Sequence, residues 1–234
     1  MKNFLENSMS EIEKQKKNES YIVRFMQHKP TALYDIGVGP KTEWRTLSEI
    51  FPQMSVHGVE ANPELIDFLL KSNWIGQLLN NAVTQKIGKT EIKIFSEELL
   101  DSSILNLKSR NPIRKHDVDC ISLDEADLAF NKQSQILLWM DIEGSELDAL
   151  KSGFSLLRSG RVRWINLEVR EVPSWEGGCS SSEIDEFLVG AGFKKVASYN
   201  HHPKSGHWDS IYFHIDEPVT ASPTYRDVPI KSRS

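Results

Sequence analysis

The sequence has little cysteine and no long apolar run. Its 234 residues include two cysteines, Cys120 and Cys179, so we expect no disulfide framework and a reduced, cytoplasmic setting. No apolar stretch approaches the roughly 18 residues that a membrane-spanning helix needs. Residues 1–6 lack an apolar core followed by small residues, so no secretory signal is predicted.

An excess of positive charge is also absent. The chain has 28 Lys and Arg against 33 Asp and Glu, which gives a net charge of −5. Because neutralising phosphates requires clustered Lys and Arg, we expect no nucleic-acid partner. What the chain does have, 39% hydrophobic and 26% charged residues, is typical of one globular α/β domain.

The apolar residues alternate between short continuous runs and helical periods. The predicted strands cover residues 33–36, 54–60, 77–83, 91–95, 118–122, 136–142, 162–169, 194–199 and 208–215. The predicted helices cover residues 42–51, 123–130, 147–150 and 182–190, and one more begins with Asn62 as N-cap and Pro63 at its first position. Strands and helices that alternate with short connections predict a parallel sheet.

The sequence predicts one domain with two appendages. We expect an N-terminal helical extension over residues 1–30, the main domain over 31–216, and a flexible tail over 217–234. Residues 96–114 are polar and lack a clear period, which predicts a surface excursion or flap. The loop 170–182 contains Trp175 and two glycines, which suits a mobile lid.

The stretch after the first strand contains two glycines, Gly37 and Gly39. Glycines at alternate positions let backbone N–H groups approach a ligand closely, although a plain turn between strand and helix has the same pattern. Glu60 ends the next strand 21 positions after Gly39. A carboxylate there can accept from both hydroxyls of a ribose, or it can cap the following helix.

Acidic residues also follow the later strands. Asp141 and Glu143 end the most apolar run of the sequence, and Glu168 lies near the end of the strand after it. Ligands of open α/β sheets bind at the carboxyl ends of the strands. These acids are therefore candidates for binding or for catalysis.

Three segments together resemble the FkbM family of class I S-adenosylmethionine-dependent methyltransferases. Residues 34–39 are similar to the family's Asp-Ile-Gly-Ala-Asn turn, and residues 59–63 to its Glu-Pro-Asn-Pro segment. Residues 140–146 resemble its Lys-Ile-Asp-Val-Glu-Gly-Ala-Glu block, and residues 150–153 resemble the leucine-lysine-glycine sequence that follows this block. The sequence departs from the family at Gly39, where Asn is usual, and at Lys41, where a third glycine is usual.

The resemblance implies a Rossmann-like, seven-stranded, mostly parallel sheet with helices on both faces and an antiparallel last strand. It implies S-adenosyl-L-methionine as the cofactor. Asp35, Gly37 and Gly39 would hold its methionine end, Glu60 its ribose, and Asn81 and Ala82 its adenine side. Val38, Ala61 and Asn62 complete the implied cofactor set, and Asp141 and Glu143 would lie beside the methyl group.

The implied reaction is methyl transfer to a hydroxyl of a sugar or another small molecule. We expect Asp141 or Glu143 to accept the hydroxyl proton. Alternatively, Asp141 only binds the cofactor's ammonium and Glu143 caps the next helix. Contacts to the acceptor are predicted for Glu168, Trp175 and His207.

No metal is predicted, because the spacing of His201, His202 and His207 matches no closed zinc site. Two other functions remain open. An NAD-dependent oxidoreductase would also use the glycine turn and Glu60, although Thr42 stands where its third glycine belongs. The third reading is a non-catalytic member of the fold that binds the cofactor. The acceptor and the oligomeric state are not predicted.

Overall fold

A computed structural model describes residues 21–40, 43–97, 101–203 and 205–220 of the chain. The strands are β1 (Ala32–Ile36), β2 (Ser55–Val59), β3 (Gln77–Leu79), β4 (Ala82–Val83), β5 (Lys89–Ile94), β6 (Ser102–Ser103), β7 (Arg114–Ile121), β8 (Ile136–Met140), β9 (Val162–Arg170), β10 (Phe193–His202) and β11 (His207–His214). The helices are α1 (Glu43–Ile50), α2 (Pro63–Lys71), α3 (Leu123–Ala129), α4 (Glu146–Ser152), α5 (Phe154–Arg158) and α6 (Ser181–Gly190), and a 3-10 turn covers Ile22–Phe25.

The main sheet has seven strands in the order β10-β11-β9-β8-β1-β2-β3. Its strands pair in parallel, except that β11, the last strand of the described chain, runs antiparallel to both β9 and β10. This arrangement confirms the predicted Rossmann-like sheet.

The two central strands are buried on both faces of the sheet. All residues of β1 and β8 are buried, and alternate residues enter different core clusters. Tyr34 and Leu138 pack with α3 to α6, whereas Leu33 and Leu137 pack with α1, α2 and the 3-10 turn. Continuous apolar runs are typical of such doubly covered parallel strands, and the helices lie on both faces as predicted.

A second sheet differs from the sequence-based expectation. Its four strands lie in the order β4-β7-β5-β6. The single strand predicted over 77–83 is split, because β3 joins the main sheet while β4 pairs with β7. The predicted excursion 96–114 contains β6 and ends at the start of β7. A small core of Ala82, Ile92 and Val118 supports this sheet.

The start of α2 is as predicted. The Asn62 side chain accepts a hydrogen bond from the Glu64 backbone N–H at 3.0 Å, and Pro63 occupies the first helical position. Since Asn62 is fully buried, this cap fixes how the chain leaves β2 and enters the helix.

The two ends of the described chain meet at the amino-terminal side of the main sheet. Met26 forms an antiparallel bridge with Val219, and Glu217, 2% exposed, pairs with Arg163 and His28. The first residues of the predicted tail, 217–220, therefore make contacts with the domain through the buried carboxylate of Glu217 and the bridge at Val219. Residues 1–20, 98–100 and 221–234, together with Lys41, Thr42 and Lys204, lie outside the described residues. Within the described ranges, no helix has the length and apolar character to cross a membrane.

Candidate active site

The turns that follow β1, β2 and β8 meet at the carboxyl ends of these strands. The Gly37 N–H donates to the Val59 carbonyl oxygen at 2.8 Å, and the Asp141 N–H donates to the Ile36 carbonyl oxygen at 3.0 Å. These bonds extend the strand pairing by one step beyond the sheet. They bring together the three segments that sequence reasoning singled out.

Gly37 lies where two of these turns touch. Its φ of +80° is in the left-handed region, and a Cβ built on it would lie 2.0 Å from the Asp141 backbone oxygen. A side chain at this position therefore requires displacement of the Asp141 turn. The glycine allows the close approach that a ligand-binding turn needs.

Glu60 connects the first two turns. Its Oε2 accepts from the Gly39 N–H at 2.9 Å, and its Oε1 accepts from the Asn62 N–H at 2.7 Å. Burial raises the pKa of Glu60, against the lowering effect of these two backbone donors. A carboxylate has about four acceptor sites, and the backbone N–H groups of Gly39 and Asn62 occupy two of them.

A pocket opens beside these turns. Of the predicted cofactor residues, Gly37, Ala61, Asn81, Ala82 and Asp141 line it. The rest of its wall is largely apolar and is formed by Ile36, Val59, Val83, Ile92, Ser102, Ser103, Ile104, Ile142 and Ser145.

Five predicted cofactor residues do not belong to the wall of this pocket: Asp35, Val38, Gly39, Glu60 and Asn62. Asp35 lies within β1 and is 3% exposed. Val38 packs with Trp44 in the core on the other face of the sheet. Asn62 caps α2. The structure therefore assigns Val38 and Asn62 to packing and capping, which shape the turns that carry Gly37 and Glu60.

Three carboxylates meet at the ends of β8 and β9. Asp141, Glu143 and Glu168 each have an oxygen within 4.8 Å of the others. Arg170 Nη2 lies 3.1 Å from Glu143 Oε2 and 2.8 Å from Glu168 Oε1. The guanidinium offsets part of the negative charge of this acid cluster, Asp141, Glu143 and Glu168.

His207 lies at the edge of the acid cluster. It begins β11, pairs with Arg170 across the strands, and places Nδ1 3.8 Å from Glu168 Oε1. Its ring centroid is 4.4 Å from that of His202, whereas His201 stacks on Trp208. The structure brings the predicted acceptor residues Glu168 and His207 together, and it leaves His201 and His202 outside the acid cluster.

Trp175 lies behind the acid-bearing loop. It is 2% exposed, its ring meets Phe95 edge-on with centroids 5.2 Å apart, and it fills the space beside Gly144. Backbone hydrogen bonds join its loop to residues 106–108 on both sides of the tryptophan. The loop predicted as a lid is therefore anchored, and its tryptophan supports the loop that carries Glu143.

Glu146 holds the turn between β8 and α4. Its Oε1 accepts from the N–H groups of Ile142 at 3.2 Å and Gly144 at 3.1 Å. Burial raises the pKa of Glu146 to about 7, partly offset by these backbone donors. The side chain is 4% exposed, so its carboxyl group binds the N–H groups of the loop and has little contact with solvent.

Several site residues were missed by sequence reasoning. Arg170 had a signal, because it lies two positions after Glu168 on one strand and therefore on the same face. The pocket residues Ser102, Ser103 and Ile104 had none, because they lie in or directly after β6, a strand of two serines.

A family model described as Methyltransferase FkbM domain matches residues 25–195. No curated protein matches the sequence. Among solved structures, the chain is similar to the fibrillarin pre-rRNA processing protein of Methanococcus jannaschii, with a TM-score of 0.50 and 12% identity over 80% of this chain and 67% of that one. At this identity the likeness concerns the fold.

Two further solved structures are similar over much of the chain. The methyltransferase FkbM from Methylobacillus flagellatus KT has a TM-score of 0.47 and 14% identity, over 80% of this chain and 44% of that chain, so the present chain spans less than half of its length. The magnesium protoporphyrin IX methyltransferase of Synechocystis PCC 6803, solved with bound S-adenosylmethionine, has a TM-score of 0.47 and 9% identity, over 86% of this chain and 78% of that one.

Proposed function

Since the chain belongs to the FkbM methyltransferase family, whose cofactor is S-adenosylmethionine, we propose that it methylates a hydroxyl of a sugar or another small molecule. The cofactor supplies a methyl group on a sulfonium, which is transferred by in-line displacement. The observation that carries the proposal is the acid cluster, because Asp141 belongs both to it and to the wall of the cofactor pocket.

The chemistry of the acid cluster favours a hydroxyl acceptor over an amine. Carboxylates accept hydrogen bonds from hydroxyls and orient an acceptor oxygen for displacement. They also stabilise an amine as its ammonium, which has no lone pair for attack. The acid cluster therefore supports O-methylation.

Glu143 or Asp141 takes the hydroxyl proton in this proposal. Proton acceptance by a positioned carboxylate contributes typically about 10²–10⁴-fold to the rate. Arg170 binds one oxygen of Glu143 and one of Glu168, which fixes both side chains relative to the acceptor. Glu168 and His207 complete the proposed contacts to the acceptor.

The three carboxylates are also close enough to ligate a cation. Arg170 already donates to two of them, so a metal ion has to compete with a fixed positive charge. We therefore propose a reaction without a metal.

An acceptor screen tests this function. The protein is incubated with S-adenosylmethionine labelled with carbon-13 in its methyl group and with panels of neutral sugars, amino sugars and other small hydroxyl and amine compounds. We expect label in a methyl ether, which carbon-13 NMR distinguishes from an N-methyl group, and a loss of about 10²-fold or more in Glu143→Gln.

Other outcomes of the screen contradict the proposal at different points. Label in an N-methyl product overturns O-methylation. Full turnover in Glu143→Gln removes Glu143 as the base and leaves Asp141, which Asp141→Asn then tests. Cofactor binding without transfer to any acceptor favours the non-catalytic alternative.

A further inference from the structure

The backbone at Glu143 is in an unusual conformation. Glu143 has a φ of +51°, and Gly144 follows with a φ of +98°. A residue with a side chain rarely adopts the left-handed region, and such a conformation persists where the surrounding structure holds it. The contacts of this peptide therefore decide where the Glu143 side chain lies.

The peptide unit between Glu143 and Gly144 is held at both of its polar ends. Ser103 Oγ donates to the Glu143 carbonyl oxygen at 2.8 Å, and the Gly144 N–H donates to Glu146 Oε1 at 3.1 Å. Ser103 Oγ also accepts from the Leu105 N–H at 3.0 Å. The hydroxyl proton of Ser103 is thus directed at Glu143.

Both holding residues are buried. Ser103 is 1% exposed and Glu146 is 4% exposed, so water does not readily replace either bond. Ser103 belongs to β6 of the second sheet, and Glu146 begins α4 behind the main sheet. The peptide is therefore held between two different parts of the fold.

We infer that Ser103 and Glu146 are positioning residues that lock the Glu143–Gly144 peptide and thereby place the Glu143 carboxylate against Arg170. The inference rests on the proposed function, in which Glu143 acts on the acceptor. Ser103 also lines the cofactor pocket, so the same hydroxyl connects the wall of that pocket to the acid-bearing loop.

Ser103→Ala tests the lock through turnover. Removing the hydroxyl leaves the Glu143 carbonyl without this donor and lets the peptide rotate, so we expect kcat at saturating cofactor and acceptor to fall roughly tenfold. Ser103→Thr retains a hydroxyl, and we expect it to retain most of the turnover. An unchanged kcat in Ser103→Ala, with Glu143→Gln impaired, overturns the inference.

Ser152→Ala is the matched control. Ser152 Oγ accepts from the Leu123 N–H at 2.9 Å and donates to the Ala149 carbonyl oxygen at 2.7 Å, the same pattern as Ser103 but at the far end of α4. We expect it to lose a similar amount of stability in urea unfolding while its kcat stays at the wild-type value. An equal fall of kcat in both variants indicates a general structural effect and contradicts the lock.

A double-substitution cycle separates positioning from packing. If Ser103 acts through Glu143, Ser103→Ala has no further effect on kcat when Glu143→Gln is already present. If the two effects multiply, Ser103 acts by another route and the inference is wrong.

Amide exchange provides a readout that needs no acceptor. In protein labelled with nitrogen-15, we expect the Gly144 N–H to exchange faster in Ser103→Ala than in the wild type, and to be unchanged in Ser152→Ala. Unchanged exchange in Ser103→Ala overturns the lock. Faster exchange combined with full activity of Glu143→Gln keeps the lock and overturns the proposed role of Glu143, so the two failures are distinguishable.

Discussion

At Gly37 the backbones of two strand ends touch. A Cβ on Gly37 would lie 2.0 Å from the Asp141 carbonyl oxygen, so the turn after β1 and the acid-bearing loop are in direct contact. The Gly37 N–H also donates to the Val59 carbonyl oxygen, which connects this turn to the strand that precedes Glu60. One missing side chain thus sets the spacing of all three segments.

We expect Gly37→Ala to lose both stability and cofactor binding. A left-handed alanine costs about 1–2 kcal/mol, and the overlap with Asp141 adds to this cost. Gly88→Ala is the control, because Gly88 has a φ of +88° and nothing lies within 4 Å of its Cβ position. Urea unfolding and a titration with S-adenosylhomocysteine check both variants. Equal losses in the two variants contradict the role of the contact.

At the residue scale, the sequence predicted those features that depend on residues close together in the chain. Gly37, Glu60 and the Asn62 cap follow from short patterns at strand ends, and the structure has them where the patterns indicate. Ser103 was missed, because it reaches Glu143 across 40 positions of sequence. A contact of that kind depends on the tertiary fold and leaves no local signal.

At the scale of elements, the loop between β8 and α4 depends on one buried acid. Glu146 binds two of the loop's N–H groups through a single oxygen. Its pKa of about 7 means that it binds its proton in the folded state at pH values where the unfolded chain has released it. This proton contributes stability at low pH that is lost as the pH rises to about 7.

The sign of this linkage gives a prediction for Glu146→Gln. The amide retains the accepting oxygen but does not titrate, so the variant should become steadily more stable than the wild type as the pH rises from about 5 to 8, by at most about 3 kcal/mol. Urea unfolding of both proteins at pH 5, 6, 7 and 8 measures the difference. Parallel stability curves would mean that Glu146 titrates normally.

The strands were predictable where they are buried on both faces, because such strands consist of continuous apolar residues. The central strands β1 and β8 are buried throughout, and their sequences show it. The second sheet was missed, because most residues of β7 are at least partly exposed and β4 and β6 have two residues each. Strands this short are defined by their partners and not by their own pattern.

At the scale of the whole molecule, the carboxyl ends and the amino ends of the strands of the main sheet carry different features. The carboxyl ends carry the pocket beside Gly37 and the acid cluster. At the amino ends, Glu217 accepts from Arg163 at 2.9 Å and pairs with His28 at 2.8 Å, which ties both ends of the described chain to β9. Contacts between the two ends of the described chain therefore lie at the amino ends of the strands. The proposed site lies at the opposite, carboxyl ends, where loops form it.

We propose that S-adenosylmethionine binds at the turns after β1 and β2, with Glu60 accepting from its ribose. Isothermal titration of S-adenosylhomocysteine and of NAD into the wild type and Glu60→Gln tests this most directly. We predict saturable binding of S-adenosylhomocysteine, no saturable heat with NAD, and an affinity for S-adenosylhomocysteine weakened about 10–100-fold in Glu60→Gln, because hydrogen bonds to a charged group contribute about 1.5–3 kcal/mol. Binding of NAD in place of S-adenosylhomocysteine, or equal affinity of the two proteins for S-adenosylhomocysteine, would contradict it.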